Sequence, residues 1–154
     1  MLGFNYRMDE MRAAIGLVQL QSLQEWNEIR RILVVLYRRL IAKHCPAVTI
    51  PFSEPRTSAY HIMPILLPGS VTRQDIIDDL RARQIQTTIH YPPVHQLTLY
   101  RELFPDTSLP RTEDFAQREL TIPLHPQLTS PVVEAVVAAL TTALGSSART
   151  GAAV

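Results

Sequence analysis

The run Met11–Leu20, MRAAIGLVQL, sets apolar side chains around nearly the whole circumference of the helix it favours. A helix that is apolar all round is normally buried on all sides. A chain of 154 residues must either wrap this segment in its own core or present it to a surface that the rest of the chain does not provide. One real core is available, because a domain of about 150 residues buries roughly 68–70% of the surface of its unfolded chain. Hydrophobic residues make up 46% and charged residues 19%, the balance of a globular and not a disordered chain.

The first helix is expected to open at Asp9 or just before it and to end near Leu23. A second, from about Gln24 to His44, carries Trp26, Ile29, Leu33, Leu36, Leu40 and Ile41 on one face. Pro46 stops it. Val48–Ile50 reads as a short strand, and Ala59–Leu67, AYHIMPILL, as the best strand, with Pro64 implying an edge or a bulge. Thr72–Asp75 resembles a capping box and opens a helix to about Arg83. Gln86–Ile89 reads as a strand, HYPPVH (90–95) as a rigid loop, and Leu97–Phe104 and Thr112–Arg118 as short helices. Glu119–Pro123 is a further strand. Ser130-Pro131 starts a last helix, with Gly145 placed to end it and residues 146–154 left as a disordered tail. The order predicts an α+β fold, a small, mostly antiparallel sheet covered by helices.

The net charge of +1 lacks the clustered basic footprint of a nucleic-acid binder. A single cysteine, Cys45, excludes an intrachain disulfide and suits a reducing compartment. Arg7, Asp9, Glu10 and Arg12 stand where a signal peptide needs its apolar core. Uninterrupted apolar runs fall short of the ~20 residues of a membrane span. The expected location is the cytoplasm.

The five histidines, His44, His61, His90, His95 and His125, lack the close ligand spacing of a zinc site. His44 and His125 read as plain polar residues. There is no G-x-S-x-G elbow and no phosphate-cradling glycine loop. HYPPVH is more informative, because consecutive prolines hold His90, Tyr91 and His95 in set directions with little entropy left to lose. A substrate-contacting loop and a plain structural turn suit that composition about equally. Asn5-Tyr6-Arg7 ahead of a helix suits an anion, and equally a polar flank.

Four ordered stretches together resemble the DegT/DnrJ-type sugar aminotransferases, pyridoxal-phosphate (PLP) enzymes of the aspartate aminotransferase fold (fold type I). They are GFNYRMDEMRAAIGLVQLQSL, SAYHIMPILLP (58–68), RARQIQTTIHYPPVH (81–95) and LTIPLHPQLT (120–129). The resemblance spans about residues 2–144 and is to the C-terminal part of such an enzyme, with residues 1–145 as its small domain and linking helices. One departure is Gln84, where the family commonly has glycine, so Gln84 would have to take a helix C-cap conformation that glycine favours.

The resemblance implies specific roles. Asn5 would reach across a dimer to the PLP phosphate, supported by Tyr6 and Arg7. His90 and Tyr91 would lie near the sugar or nucleotide of the substrate, with His95 and His61 as weaker candidates. No residue of the chain is expected to be catalytic or to bind a metal. The only lysine, Lys43, matches no lysine motif of the family. The implied activity is transfer of an amino group from glutamate or glutamine to a keto-sugar or keto-cyclitol. The Schiff-base lysine would lie on a lobe not among these residues, so the chain alone is expected to be inactive. A homodimer or a separate lysine-bearing chain would complete it. The all-apolar run would be covered by those partners and exposed without them. A non-catalytic binding module and a complementing subunit of a split enzyme are the alternatives.

Overall fold

The computed structural model describes residues 6–52 and 58–151, with side chains to residue 147. Its first element, α1, is a single helix over Glu10–His44, 35 residues long, and not the two helices expected. Leu23 and Gln24, at the expected break, are good helix formers, and no proline or glycine stands between Leu17 and Cys45. Asp9 caps the start, accepting from the Arg12 N–H at 2.9 Å. Cys45 closes the end, its N–H bonded to the Ile41 carbonyl at 2.8 Å, and Pro46 follows.

The two halves of α1 live in different surroundings. Its buried residues are Leu33, Val34, Tyr37 and Ile41, all in the second half. Met11, Ile15, Leu17, Val18 and Leu20 are 63–78% exposed. The segment most in need of burial therefore has no cover within the described residues.

The sheet pairs β1 (Met63–Leu66) with β2 (Glu119–Ile122), antiparallel, with Met63 opposite Ile122 and Leu66 opposite Glu119. Single bridges extend it on both sides, Thr49 to Leu66 and Thr88 to Thr121. The expected strands at Val48–Ile50 and Gln86–Ile89 are reduced to these bridges, and the register explains why. Two residues beyond the Thr49–Leu66 pair, Pro51 would face Pro64, and neither has an N–H to donate. Pro64 is thereby tolerated inside β1, since its missing donor points to that depleted edge. On the other side, two residues beyond Thr88–Thr121 lies Pro123, also without a donor. In the opposite direction the His90 N–H goes to the Glu119 side chain at 2.9 Å instead of to backbone.

Helices cover one face of the sheet. The helix α2 (Arg73–Ala82) buries Ile76 and Leu80. Short helices η1 (Val94–Gln96), α3 (Thr98–Leu103) and α4 (Pro110–Arg118) lead into β2. The last helix, α5 (Ser130–Gly151), runs on through Gly145, so that glycine does not end it. A Cβ at Gly145 would meet nothing within 4 Å, and nothing there demands a turn. Residues 146–151 belong to this helix and 152–154 lie outside the described residues. Val133, Val136, Val137, Leu140 and Ala143 of α5 join Tyr37, Ile41, Met63, Ile65, Ile76, Leu80, Leu120 and Ile122 in one core. Residues 130–147 have a mean hydropathy of 1.2, long and apolar enough to cross a membrane by composition, although runs of apolar residues had suggested no such segment. Their core-facing side chains are already occupied by α1 and α2.

Two buried polar groups are tied within this core. The Tyr37 hydroxyl donates to the Pro123 carbonyl at 2.9 Å, and burial pushes the phenol far above its ordinary range. The Cys45 sulfur lies 3.0 Å from the Thr141 hydroxyl, and burial raises the thiol.

The Thr72 side chain makes no capping bond, so the expected capping box is absent and α2 starts without it. The C-terminus of α2 is firmer. Gln84 sits at φ 62°, its N–H bonded to the Arg81 carbonyl at 2.9 Å, while the Ile85 N–H reaches Leu80 at 2.9 Å. These two bonds form a Schellman motif, with Gln84 at the position where glycine is usual. Its Cβ is strained there, so Gln84→Gly is expected to stabilise the chain by about 0.5–1 kcal/mol. Thermal melting would show a rise of about 2–4 °C per kcal/mol. A fall in melting temperature would mean that the side chain of Gln84 has a role this turn does not reveal.

Candidate functional site

Side chains alternate along a strand, so Glu119 and Thr121 share the face of β2 opposite to Leu120 and Ile122. The helices cover the Leu120–Ile122 face. Across the other face runs the loop that begins at Thr88. Glu119 and Thr121 are both buried, 1% and 5% exposed. A buried carboxyl must find donors, and Glu119 finds two: the His90 backbone N–H at 2.9 Å and the Thr121 hydroxyl at 2.5 Å. His90 Nδ1 lies 2.9 Å from the Thr121 oxygen and 3.5 Å from that of Thr88. The His90–Tyr91 peptide is cis, and the two rings meet edge to face with centroids 4.8 Å apart. Tyr91 is 72% exposed.

Arginines brace the ends of this strand. Arg73 donates to the carbonyls of Ala116 and Glu119, the latter at 3.0 Å. Arg118 donates to the Leu67 carbonyl at 3.2 Å and pairs with Asp114 at 2.6 Å.

The loop is fixed at its far end too. His95 Nε2 is 2.9 Å from Glu113 Oε1, which also accepts from the Leu109 N–H at 2.9 Å. His95 and Glu113 border an open cleft of about 600 Å³ with Arg101, Phe104 and Thr107. The Leu109 N–H, and then His95, hold the Glu113 carboxyl below its ordinary value of 4.5. A depressed carboxyl contributes its stability above the unfolded pKa and loses it as pH falls through the lower folded value. The clamp between loop and α4 is therefore expected to hold at neutral pH and to release in acid, below about pH 4.5. The Leu109 amide resonance should move with that titration in wild type and not in Glu113→Gln.

The expected site residues thus divide. His90 and Tyr91 stand together on the sheet's polar face. His95 belongs to the same loop, but its ring is turned into the contact with Glu113. His61 is exposed in the extended stretch before β1. Tyr6 and Arg7 are exposed ahead of α1, and Asn5 lies outside the described residues. Glu119, Thr121 and Glu113 were not expected. An alternation of polar residues, Thr88-x-His90 facing Glu119-x-Thr121, is the signal that could have pointed to the first two.

These residues do not close a PLP pocket by themselves. Lys43 is exposed in the last turn of α1.

The profile of one family matches residues 1–141. The chain belongs to the DegT/DnrJ/EryC1/StrS aminotransferase family. Among solved structures it is similar to Helicobacter pylori PseC, an aminotransferase involved in the biosynthesis of pseudoaminic acid. There the identity is 28% and the TM-score 0.85, over 95% of this chain and 40% of PseC. It is 34% identical to S. venezuelae DesV in complex with a ketimine intermediate, at a TM-score of 0.81, over 92% of this chain and 38% of DesV. Spr1654 of Streptococcus pneumoniae in its PLP form, provisionally named a sugar aminotransferase, is 27% identical at a TM-score of 0.82, over 91% of this chain and 36% of its own. The chain spans well under half of these relatives, a share that fits the C-terminal part of such an enzyme. The small antiparallel sheet with its helices is accordingly a portion of a fold type I aminotransferase.

Proposed function

We propose that these residues are the small-domain part of a PLP-dependent aminotransferase that delivers an amino group to a keto-sugar or keto-cyclitol. The observation that carries this reading is the match of nearly the whole chain to sugar aminotransferase structures, at a TM-score of 0.85 for PseC. PLP, when bound, supplies the electron sink of the reaction. The chain's own residues would do the rest of the work described here. Asn5, with Tyr6 and Arg7, would donate to the cofactor's phosphate from across a subunit boundary. His90 and Tyr91 would form part of the substrate wall, held rigid by Glu119, Thr121 and the following prolines. His95, in the same loop, and His61, ahead of β1, would be lesser contributors, His95 through its hold on α4. The partner would be a second copy of the complete enzyme or a lysine-bearing chain, in the cytoplasm.

A self-sufficient binding module fits less well, because the first half of α1 keeps its apolar surface exposed. The test is turnover. Purified chain with PLP, glutamate and a nucleotide-linked keto-sugar should release no 2-oxoglutarate. The same mixture should do so once a lysine-bearing N-terminal portion is supplied in trans. Release of 2-oxoglutarate by the chain alone would overturn the reading.

A further inference from the structure

The proton positions around Glu119 are not independent of one another. The Glu119 carboxylate only accepts, and it takes the single hydroxyl proton of Thr121 at 2.5 Å. With that proton committed, the Thr121 oxygen can offer His90 Nδ1, 2.9 Å away, only a lone pair. Nδ1 must then carry the ring proton. The Thr88 hydroxyl, at 3.5 Å, is too distant to decide the matter. In neutral imidazole the other nitrogen becomes the acceptor. His90 Nε2 bonds to no described residue and is not among the buried unsatisfied atoms, so it opens to solvent.

We propose that Glu119, acting through Thr121, fixes His90 in the Nδ1-protonated tautomer, so that Nε2 is presented as a hydrogen-bond acceptor to a hydroxyl of the substrate. Glu119 is here a positioning residue. It also holds the backbone of His90, so one buried carboxylate sets both the place of the ring and the side of the ring that bears the proton. This assignment of a ligand rests on the reading of the 88–95 loop as substrate wall, whereas the relay itself does not. A sugar offers hydroxyl donors, and an Nε2 lone pair would select a ring position bearing one over the deoxy analogue.

The relay makes an unusual demand on Glu119→Gln. The amide has one accepting and one donating end. If its oxygen keeps the His90 N–H, its NH₂ must face Thr121, whose hydroxyl is then released to donate to Nδ1. The ring proton would move to Nε2. A carboxylate that merely stapled the loop would leave the ring unaffected.

The experiment is a long-range ¹H–¹⁵N correlation spectrum of the ¹⁵N-labelled full chain, well above the ordinary histidine pKa of about 6.5. His90→Gln assigns the signals. Wild type should show a protonated Nδ1 and a bare Nε2, Glu119→Gln should reverse them, and Thr121→Ser should retain the wild-type pattern. Wild-type His90 protonated on Nε2 overturns the proposal, as does folded Glu119→Gln with the tautomer unchanged. If Glu119→Gln fails to fold, Thr121→Val decides: an unchanged share of the Nδ1–H form overturns the relay. Because none of these readouts needs turnover, loss of the aminotransferase reading and loss of the relay are separate results.

Discussion

Leu140→Ala is expected to destabilise the chain by about 3–5 kcal/mol. Leu140 is fully buried in α5, the helix that touches both α1 and α2. Removing the side chain deletes its transfer free energy and leaves a cavity that three rigid elements cannot readily close. Native domains are stable by only about 5–15 kcal/mol, so the loss would be a large part of the total. It weighs more here because the first half of α1 buries little and adds little to that total. Val132, on the same helix but 44% exposed, is the control, and Val132→Ala should change stability by less than about 0.5 kcal/mol. Urea denaturation followed by circular dichroism would show a lower midpoint for Leu140→Ala with an unchanged slope. A loss below about 1 kcal/mol would mean that α5 does not anchor the core as described.

What could be read from the sequence followed from local chemistry. Pro46 marked the end of α1, the β-rich stretch around Met63 marked β1, and Gln84 was recognised as a residue placed where glycine is preferred. The misreadings have non-local causes. One helix was divided because its two halves differ in pattern, yet the pattern reports what each half packs against and not whether the backbone continues. Val48–Ile50 and Gln86–Ile89 have strand composition, but Pro51 facing Pro64, and Pro123 facing position 86, leave the ladders without donors. That opposition exists only once the register is set. Gly145 looked like a stop, yet a helix continues through glycine at a cost of only about 1 kcal/mol when the next turns can form. Glu119 was hidden because a glutamate in a strand reads as a surface residue. Its burial depends on the Thr121 hydroxyl two residues along the strand and on the His90 N–H, which arrives from elsewhere in the fold. The same holds for His95, whose ring is claimed by Glu113 eighteen residues on.

The second large effect concerns the exposed half of α1. Ile15→Glu combined with Val18→Lys is expected to convert a self-associating chain into a folded monomer whose melting temperature no longer depends on its concentration. Ile15 and Val18 are each 63% exposed, one turn apart on the same side of the helix. Each such side chain contributes roughly 1.5–3 kcal/mol when it is fully buried. Met11, Ile15 and Val18 share one side of the helix, and burying these three against the same three on a second copy would offset much of an association cost of about 4–15 kcal/mol. The described residues offer no intrachain alternative, so contact between copies is the available route to burial. The paired substitution removes two of these three and leaves the net charge at +1. It places Glu ahead of Lys at helical spacing, which supports the helix itself. Loss of association could therefore be assigned neither to altered net charge nor to unwinding. Sedimentation equilibrium should return at least twice the 17.4 kDa chain mass for wild type and a single chain mass for the variant. Should wild type sediment as a monomer, the apolar half of α1 would be tolerated by solvent, and the need for a covering lobe or subunit would lose its physical basis.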